Sequence, residues 1–230
     1  MNEVVQNLTF FGAALSIFAY ILGLLLKKKF KLAILNPLLI AVICVMAVLL
    51  IGHVDYESYN VSAKYISYLL TPATVCLAVP LYEQLSLLKQ NLKAVIIGLL
   101  SGVFASLTGI LVMSKLFHLS HEVYVTLLPK SITTAIGMGV SEELGGIVTI
   151  TVAAIIITGI LGNVIAEFVF AIFKIKEPVA RGLALGNASH AIGTAKALEL
   201  GAVEGAMSSL AVAVAGLVTV VLASAYAHFM

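Results

Sequence analysis

Long apolar runs separated by short polar clusters organise the chain. Leu8 to Leu26, Leu32 to Gly52, Ala94 to Leu116, Ile147 to Phe173 and Val203 to Ala227 each hold at most one charged residue. Each is about the 20 residues that a helix needs to cross roughly 30 Å of hydrocarbon. Tyr65 to Tyr82 is a sixth run, interrupted by Pro72 and Pro80 with Thr74 between them. Proline removes a backbone donor and clashes with the preceding turn, so this run predicts a kinked or broken helix. Val123 to Gly146 and Val179 to Gly201 are of similar length but mix apolar residues with glycine, hydroxyls and charge. The pattern predicts an all-α polytopic membrane protein, with about six full spans plus two re-entrant or broken-helix segments.

Composition fixes the solvent. Hydrophobic residues make up 61% of the chain and charged residues 10%, with a mean hydropathy of +1.13. A soluble domain carries about 25% charged residues, so the outer surface here belongs in lipid. A net charge of +2 is too small for a nucleic-acid footprint. Cys44 and Cys76 lie in apolar runs and read as packing residues. The first run lacks a basic leader and a small-residue cleavage site, so it reads as a retained helix.

Lysines then set a topology, because short basic loops stay cytoplasmic. Lys27, Lys28, Lys29 and Lys31 follow the first run, Lys89 and Lys93 precede the Ala94 run, and Lys174, Lys176 and Arg181 follow the Ile147 run. Together they place the N-terminus outside and the loop His53–Lys64 on the outer side. They agree if Val123–Gly146 enters and leaves from outside, as a re-entrant hairpin, and Val179–Gly201 would then be a second hairpin, entering from the cytoplasm. Two full crossings would turn the Lys174–Arg181 loop outward. The chain then reads as one membrane domain over 1–230, with N-terminal spans in 1–122 and repeat-like units at 123–178 and 179–230.

The two mixed segments resemble each other. Thr134–Ile147 laid over His190–Val203 gives six identities in fourteen positions: Ala135/Ala191, Ile136/Ile192, Gly137/Gly193, Glu143/Glu199, Leu144/Leu200 and Gly145/Gly201. A long apolar run follows each copy, and one crossing separates them, so the expected arrangement is an inverted repeat, a common plan for transporters.

Irregular backbone at membrane depth must be buried in protein or line a wet cavity. The polar residues of the mixed segments are therefore the candidates for a site: Lys130, Ser131, Thr133, Thr134, Asn187, Ser189, His190, Thr194 and Lys196. Half-helix N-termini would add free N–H groups and a positive dipole end suited to a carboxylate. Lys130 or Lys196 would pair with an anion, and His190 or Glu143 would exchange a proton. A solvated loop around Glu143, an ion pair between Lys196 and Glu199 and a structural hydrogen bond at His190 are the competing readings. No catalytic or metal-binding motif is present, so neither an enzyme nor a cofactor is expected.

The runs Leu70–Tyr82, Leu128–Ala135 and Gly182–Glu199, above all Asn187-Ala-Ser-His-Ala-Ile-Gly-Thr-Ala-Lys196, resemble the LrgB/CidB family of bacterial membrane proteins. The last run looks more like the CidB branch, and Lys130 stands where the LrgB branch usually has glutamine. The resemblance implies two functions. One is holin- or antiholin-like control of murein hydrolase export and lysis, with a small LrgA/CidA-type membrane partner. The other is transport of small carboxylates such as pyruvate or glycolate, as in the related plastid glycolate/glycerate translocator. Broken, hydroxyl-rich segments favour transport, by alternating access; the resemblance implies the bacterial plasma membrane, and a homo-oligomer, that small partner or both are expected.

Overall fold

A computed structural model describes residues 10–30, 35–69, 72, 75–76 and 78–230, without the side chains of 78, 80 and 81. The described residues are helical, and the chain separates into two compact units, 1–76 and 77–230.

The first unit holds α1 (Phe11–Phe30), α2 (Pro37–Ile51) and α3 (Tyr56–Ser67). Asn36 caps α2 by accepting from the Leu38 and Leu39 amides, with Pro37 at the first helical position, where its missing N–H costs nothing. The segment His53–Lys64, expected as an outer loop, is mostly helix. Asp55 caps α3 by accepting from the Ser58 amide at 2.9 Å, and these bonds hold its carboxyl below the usual carboxylate range. The helix seats on α1, where the Gly12 amide donates to Ser62 Oγ and the Ser16 and Tyr59 hydroxyls bond at 2.7 Å.

The second unit holds α4 (Ala78–Glu83), α5 (Leu85–Gln90), α6 (Leu92–Leu116), α7 (His121–Leu127), α8 (Thr134–Glu143), α9 (Val148–Ile172), α10 (Pro178–Leu200) and α11 (Ala202–Ala227). Among the described residues four helices are long and apolar enough to span, namely α1, α6, α9 and α11, and the apolar α2 has 15 residues. The expectation of about six spans is therefore met only in part. Tyr65–Tyr82 is not one helix, because α3 ends at Ser67 and α4 begins at Ala78. Pro72 is exposed, Pro80 falls within α4, and Thr74 lies outside the described residues.

Both mixed segments fold back on themselves. In α10 the helical geometry fails at Ser189 (φ −129°, ψ 15°) and His190 (φ 43°, ψ −137°). The arm before the break runs parallel to α11, since Gly182 packs on the backbone of Glu204 and Gly186 on that of Ser208. The arm after it runs antiparallel, since Gly205 meets Leu198 and Thr194 Oγ1 meets Ser208 Oγ at 2.8 Å. The two arms are thus antiparallel to each other. They press together so closely that any side chain on Gly193 would strike the Leu185 carbonyl.

The other segment does the same over α7, the non-helical stretch 129–133 and α8. Thr126 and Ser141, one from each arm, converge on α9, where Thr151 Oγ1 donates to the Thr126 carbonyl at 2.8 Å and bonds the Ser141 hydroxyl at 2.7 Å. A Cβ on Gly137 would come within 3.4 Å of the Pro129 carbonyl. Gly137–Pro129 and Gly193–Leu185 are the same contact displaced by 56 residues, the displacement of the sequence match. Directions complete the relation. The arm α8 opposes α9, because Gly137 meets Ile155 and Ser141 meets Thr151. The second arm of α10 runs with α9, because Asn163 Nδ2 donates to the Ile192 carbonyl and Lys196 pairs with Glu167. The two hairpins point in opposite senses.

Candidate functional site

Four of the candidates meet in one cavity. Lys130 and Ser131 from the first hairpin, and Asn187 and Ser189 from the second, line a space of about 1220 Å³ walled by α6, α9 and the first arm of α10. At its polar end Lys130 Nζ donates to Ser131 Oγ at 2.9 Å, and Ser131 Oγ bonds the Ser106 hydroxyl at 3.1 Å. Asn187 is oriented by its Nδ2, which donates to the Leu99 carbonyl at 2.9 Å. Among the described residues no carboxylate pairs with Lys130. The cavity also carries Glu177, at the start of α10, ten residues before Asn187 and so about 15 Å away along the helix.

The sequence of α6 makes this space. Ala94, Gly98, Gly102 and Ser106 recur every four residues and form one helix face, which lies in the cavity wall. A Cβ on Gly102 would strike the Asn187 amide, and one on Gly162 of α9 would strike the Ser189 hydroxyl. Read from sequence alone, the small residues around Gly98, Gly102, Gly159 and Gly216 indicate close helix packing. Here Gly102 and Gly162 also admit two polar side chains. Ser106, Ser101 and Thr158 belong to the lining and were not among the sequence candidates. The four-residue spacing that ends on Ser106 is the signal that points to it.

The remaining candidates sit elsewhere. His190 is buried at the break, with its Nε2 bonded to the Ile155 carbonyl of α9 at 3.0 Å. Its side chain anchors the hairpin tip to α9 behind the cavity lining. Thr194 bonds the Ser208 hydroxyl and the His190 carbonyl, which ties the second arm to α11. Thr133 is the N-cap residue of α8 without a side-chain bond, and Thr134 follows it, both half-buried outside the lining. Lys196 pairs with Glu167 and, at 3.4 Å, with Glu199. Glu143 is exposed at the far end of α8, nine residues beyond Thr134 and about 14 Å along the helix.

An all-helical membrane protein with a polar cavity between two opposed, broken segments is the class that these features define. The LrgB-like family model matches residues 16–229, and the chain belongs to this family. It is 40% identical over 222 residues to the holin-like protein CidB of Staphylococcus epidermidis, covering 96% of each chain. It is 37% identical, over the same length and coverage, to the antiholin-like protein LrgB of Bacillus mycoides and of Bacillus cereus. No solved structure matches it.

Proposed function

We propose that the protein is a secondary transporter, or a transporter subunit, that binds a small monocarboxylate such as pyruvate or glycolate at Lys130. The carrying observation is the Lys130 ammonium at the polar end of the cavity, beside Ser131 and Ser106 and without a carboxylate partner among the described residues. A lone cation at membrane depth is costly unless an anion or water meets it. Ser131 bonds it, and Asn187 and Ser189 line the same cavity as further groups to orient a carboxylate, with no covalent chemistry required. The opposed hairpins are the arrangement in which inverted repeats place a substrate site.

A second reading has its own support. The similar proteins from Staphylococcus epidermidis and Bacillus carry holin-like and antiholin-like names. They favour a holin- or antiholin-like membrane protein, for which the expected companion is a small membrane partner, and on names alone that reading is the better supported. One experiment separates the two. The purified chain is reconstituted in liposomes, with and without such a partner, and labelled pyruvate entry is followed under a proton gradient. Saturable uptake that Lys130→Met weakens supports transport. Release of large dyes without saturable uptake overturns it.

A further inference from the structure

The 56-residue register relates positions as well as contacts, and at three of them the two hairpins differ in one consistent way. Ala180, Ala184 and Ala188 on the first arm of α10 are exposed and line the cavity. Their counterparts in the first hairpin are Tyr124, Leu128 and Ile132, which are 0%, 1% and 2% exposed. These three pack with Val103, Leu107 and Ile110 of α6 and with Ala215 and Ala223 of α11 in one apolar cluster. So one hairpin has an open groove along its first arm, while the other has the same groove filled. Along α6 the cavity and the cluster overlap by about a turn. Residues from Asn91 to Ser106 border the cavity, and Val103, Leu107 and Ile110 belong to the cluster.

Resting on the transport reading above, we propose that Tyr124, Leu128 and Ile132 close a second entrance to the same cavity, related to the open one by the 56-residue register. Passage of substrate then exchanges the two grooves. Opening the first arm of that hairpin, α7, away from Leu107 and Ile110 frees Ser131 and Lys130 toward the opposite side, while the Ala180–Ala188 groove closes on α6. The cross-contacts between the units suit such an exchange. The Ile192 side chain lies against Gly159 of α9, and Ile136 lies against Gly216 of α11, a displacement of 56 at the isoleucines and 57 at the glycines. Each hairpin thus rests an isoleucine on a glycine of the other unit's long helix, and the two bearings are nearly equivalent.

The test uses the full chain in proteoliposomes, with Cys44→Ser and Cys76→Ser as background. Ala184→Cys and Leu128→Cys are labelled one at a time, by a membrane-impermeant maleimide added to either side, with and without pyruvate. The expected result is labelling of Ala184→Cys from one side and of Leu128→Cys from the other, with pyruvate changing the two rates severalfold and in opposite directions. Leu183→Cys and Leu127→Cys, again 56 apart, give the same reading should Leu128→Cys not accumulate. Labelling of both positions from the same side overturns the proposal. So does a first-arm cysteine that stays inert while uptake proceeds, which would make Tyr124, Leu128 and Ile132 a permanent plug. Reciprocal labelling by a chain that takes up no carboxylate keeps the second entrance and removes only the proposed substrate.

Discussion

At the scale of single residues, the cavity divides the polar groups of the two mixed segments by task. On the proposed reading, Lys130 meets the ligand. A charge-assisted hydrogen bond contributes about 1.5–3 kcal/mol, so Lys130→Met is expected to weaken pyruvate uptake roughly tenfold to a hundredfold, read as a rise in KM in proteoliposomes. His190 is placed to hold the fold. Its Nε2 meets the Ile155 carbonyl inside the protein, and its φ of 43° is one that side chains with a Cβ rarely adopt. His190→Ala loses the bond and keeps the backbone conformation, so it is expected to destabilise by about 1–3 kcal/mol in detergent unfolding. His190→Gly loses the same bond but relaxes the backbone, and should recover part of that loss. Equal destabilisation by the two would show that the positive φ costs nothing. The residue types that make a site were legible in the sequence; their direction was not. Lys130, Ser131, Asn187 and Ser189 face one cavity, whereas Thr194 and Lys196, equally polar and in the same segments, turn to Ser208 and Glu167. Which way a side chain turns depends on where the arms cross, and that is set by contacts far apart in sequence.

At the scale of elements, the first hairpin could be anticipated from charge, because a fold-back over 123–146 keeps the Lys174–Arg181 loop on the side of the other lysine clusters, and the second from its sequence match to the first. Their interiors depend on glycine. Gly162→Ala would drive a methyl group into the Ser189 hydroxyl and push the tip of α10 off α9. It is expected to reduce uptake strongly. Gly109→Ala, on the same kind of helix with nothing near the new Cβ, should leave uptake unchanged and stabilise the fold slightly. If both alanines behave alike, the packing at Gly162 is not what positions Ser189. Helix α3 shows where reading by hydropathy fails. Its sequence is polar enough to look like a loop, and the informative feature is local: Asp55 followed three residues later by Ser58, whose amide and hydroxyl both donate to it. Because the folded state lowers the Asp55 pKa, its carboxylate stabilises the helix above the ordinary carboxylate range, and that contribution fades as pH falls through the lowered value. Asp55→Ala should therefore lower the unfolding temperature at neutral pH and make little difference in strong acid. A difference that persists in acid would mean that Asp55 acts through something other than its charge.

At the scale of the whole molecule, the cavity has a direction, and the direction predicts an orientation. From Asn91 to Ser106 it follows α6 for fifteen residues, about 22 Å of a hydrocarbon layer roughly 30 Å thick. One end lies where α6 and α10 begin, near Lys89, Lys93, Lys174 and Lys176. The other ends on Ser106 and the apolar cluster of Tyr124 and Leu128. Helices α6 and α9 both have these basic residues just outside one end, and they run in opposite senses, Lys93 standing at the start of α6 and Lys174 after the end of α9. Basic residues next to spans stay in the cytoplasm, so the cavity should reach the cytoplasmic side. In the first unit the last turn of α1 carries Lys27, Lys28 and Lys29, which by the same rule end that helix in the cytoplasm and begin it outside. In intact cells, an epitope tag before α1 should therefore be reached by antibody without permeabilisation, while a single cysteine at Lys176 should be protected from an impermeant maleimide until the membrane is opened. Protection of both sites would separate the two lysine clusters and leave the first unit with the opposite orientation. A cysteine at Lys176 that reacts in intact cells would turn the cavity to the outside, and the substrate would then meet Lys130 from there.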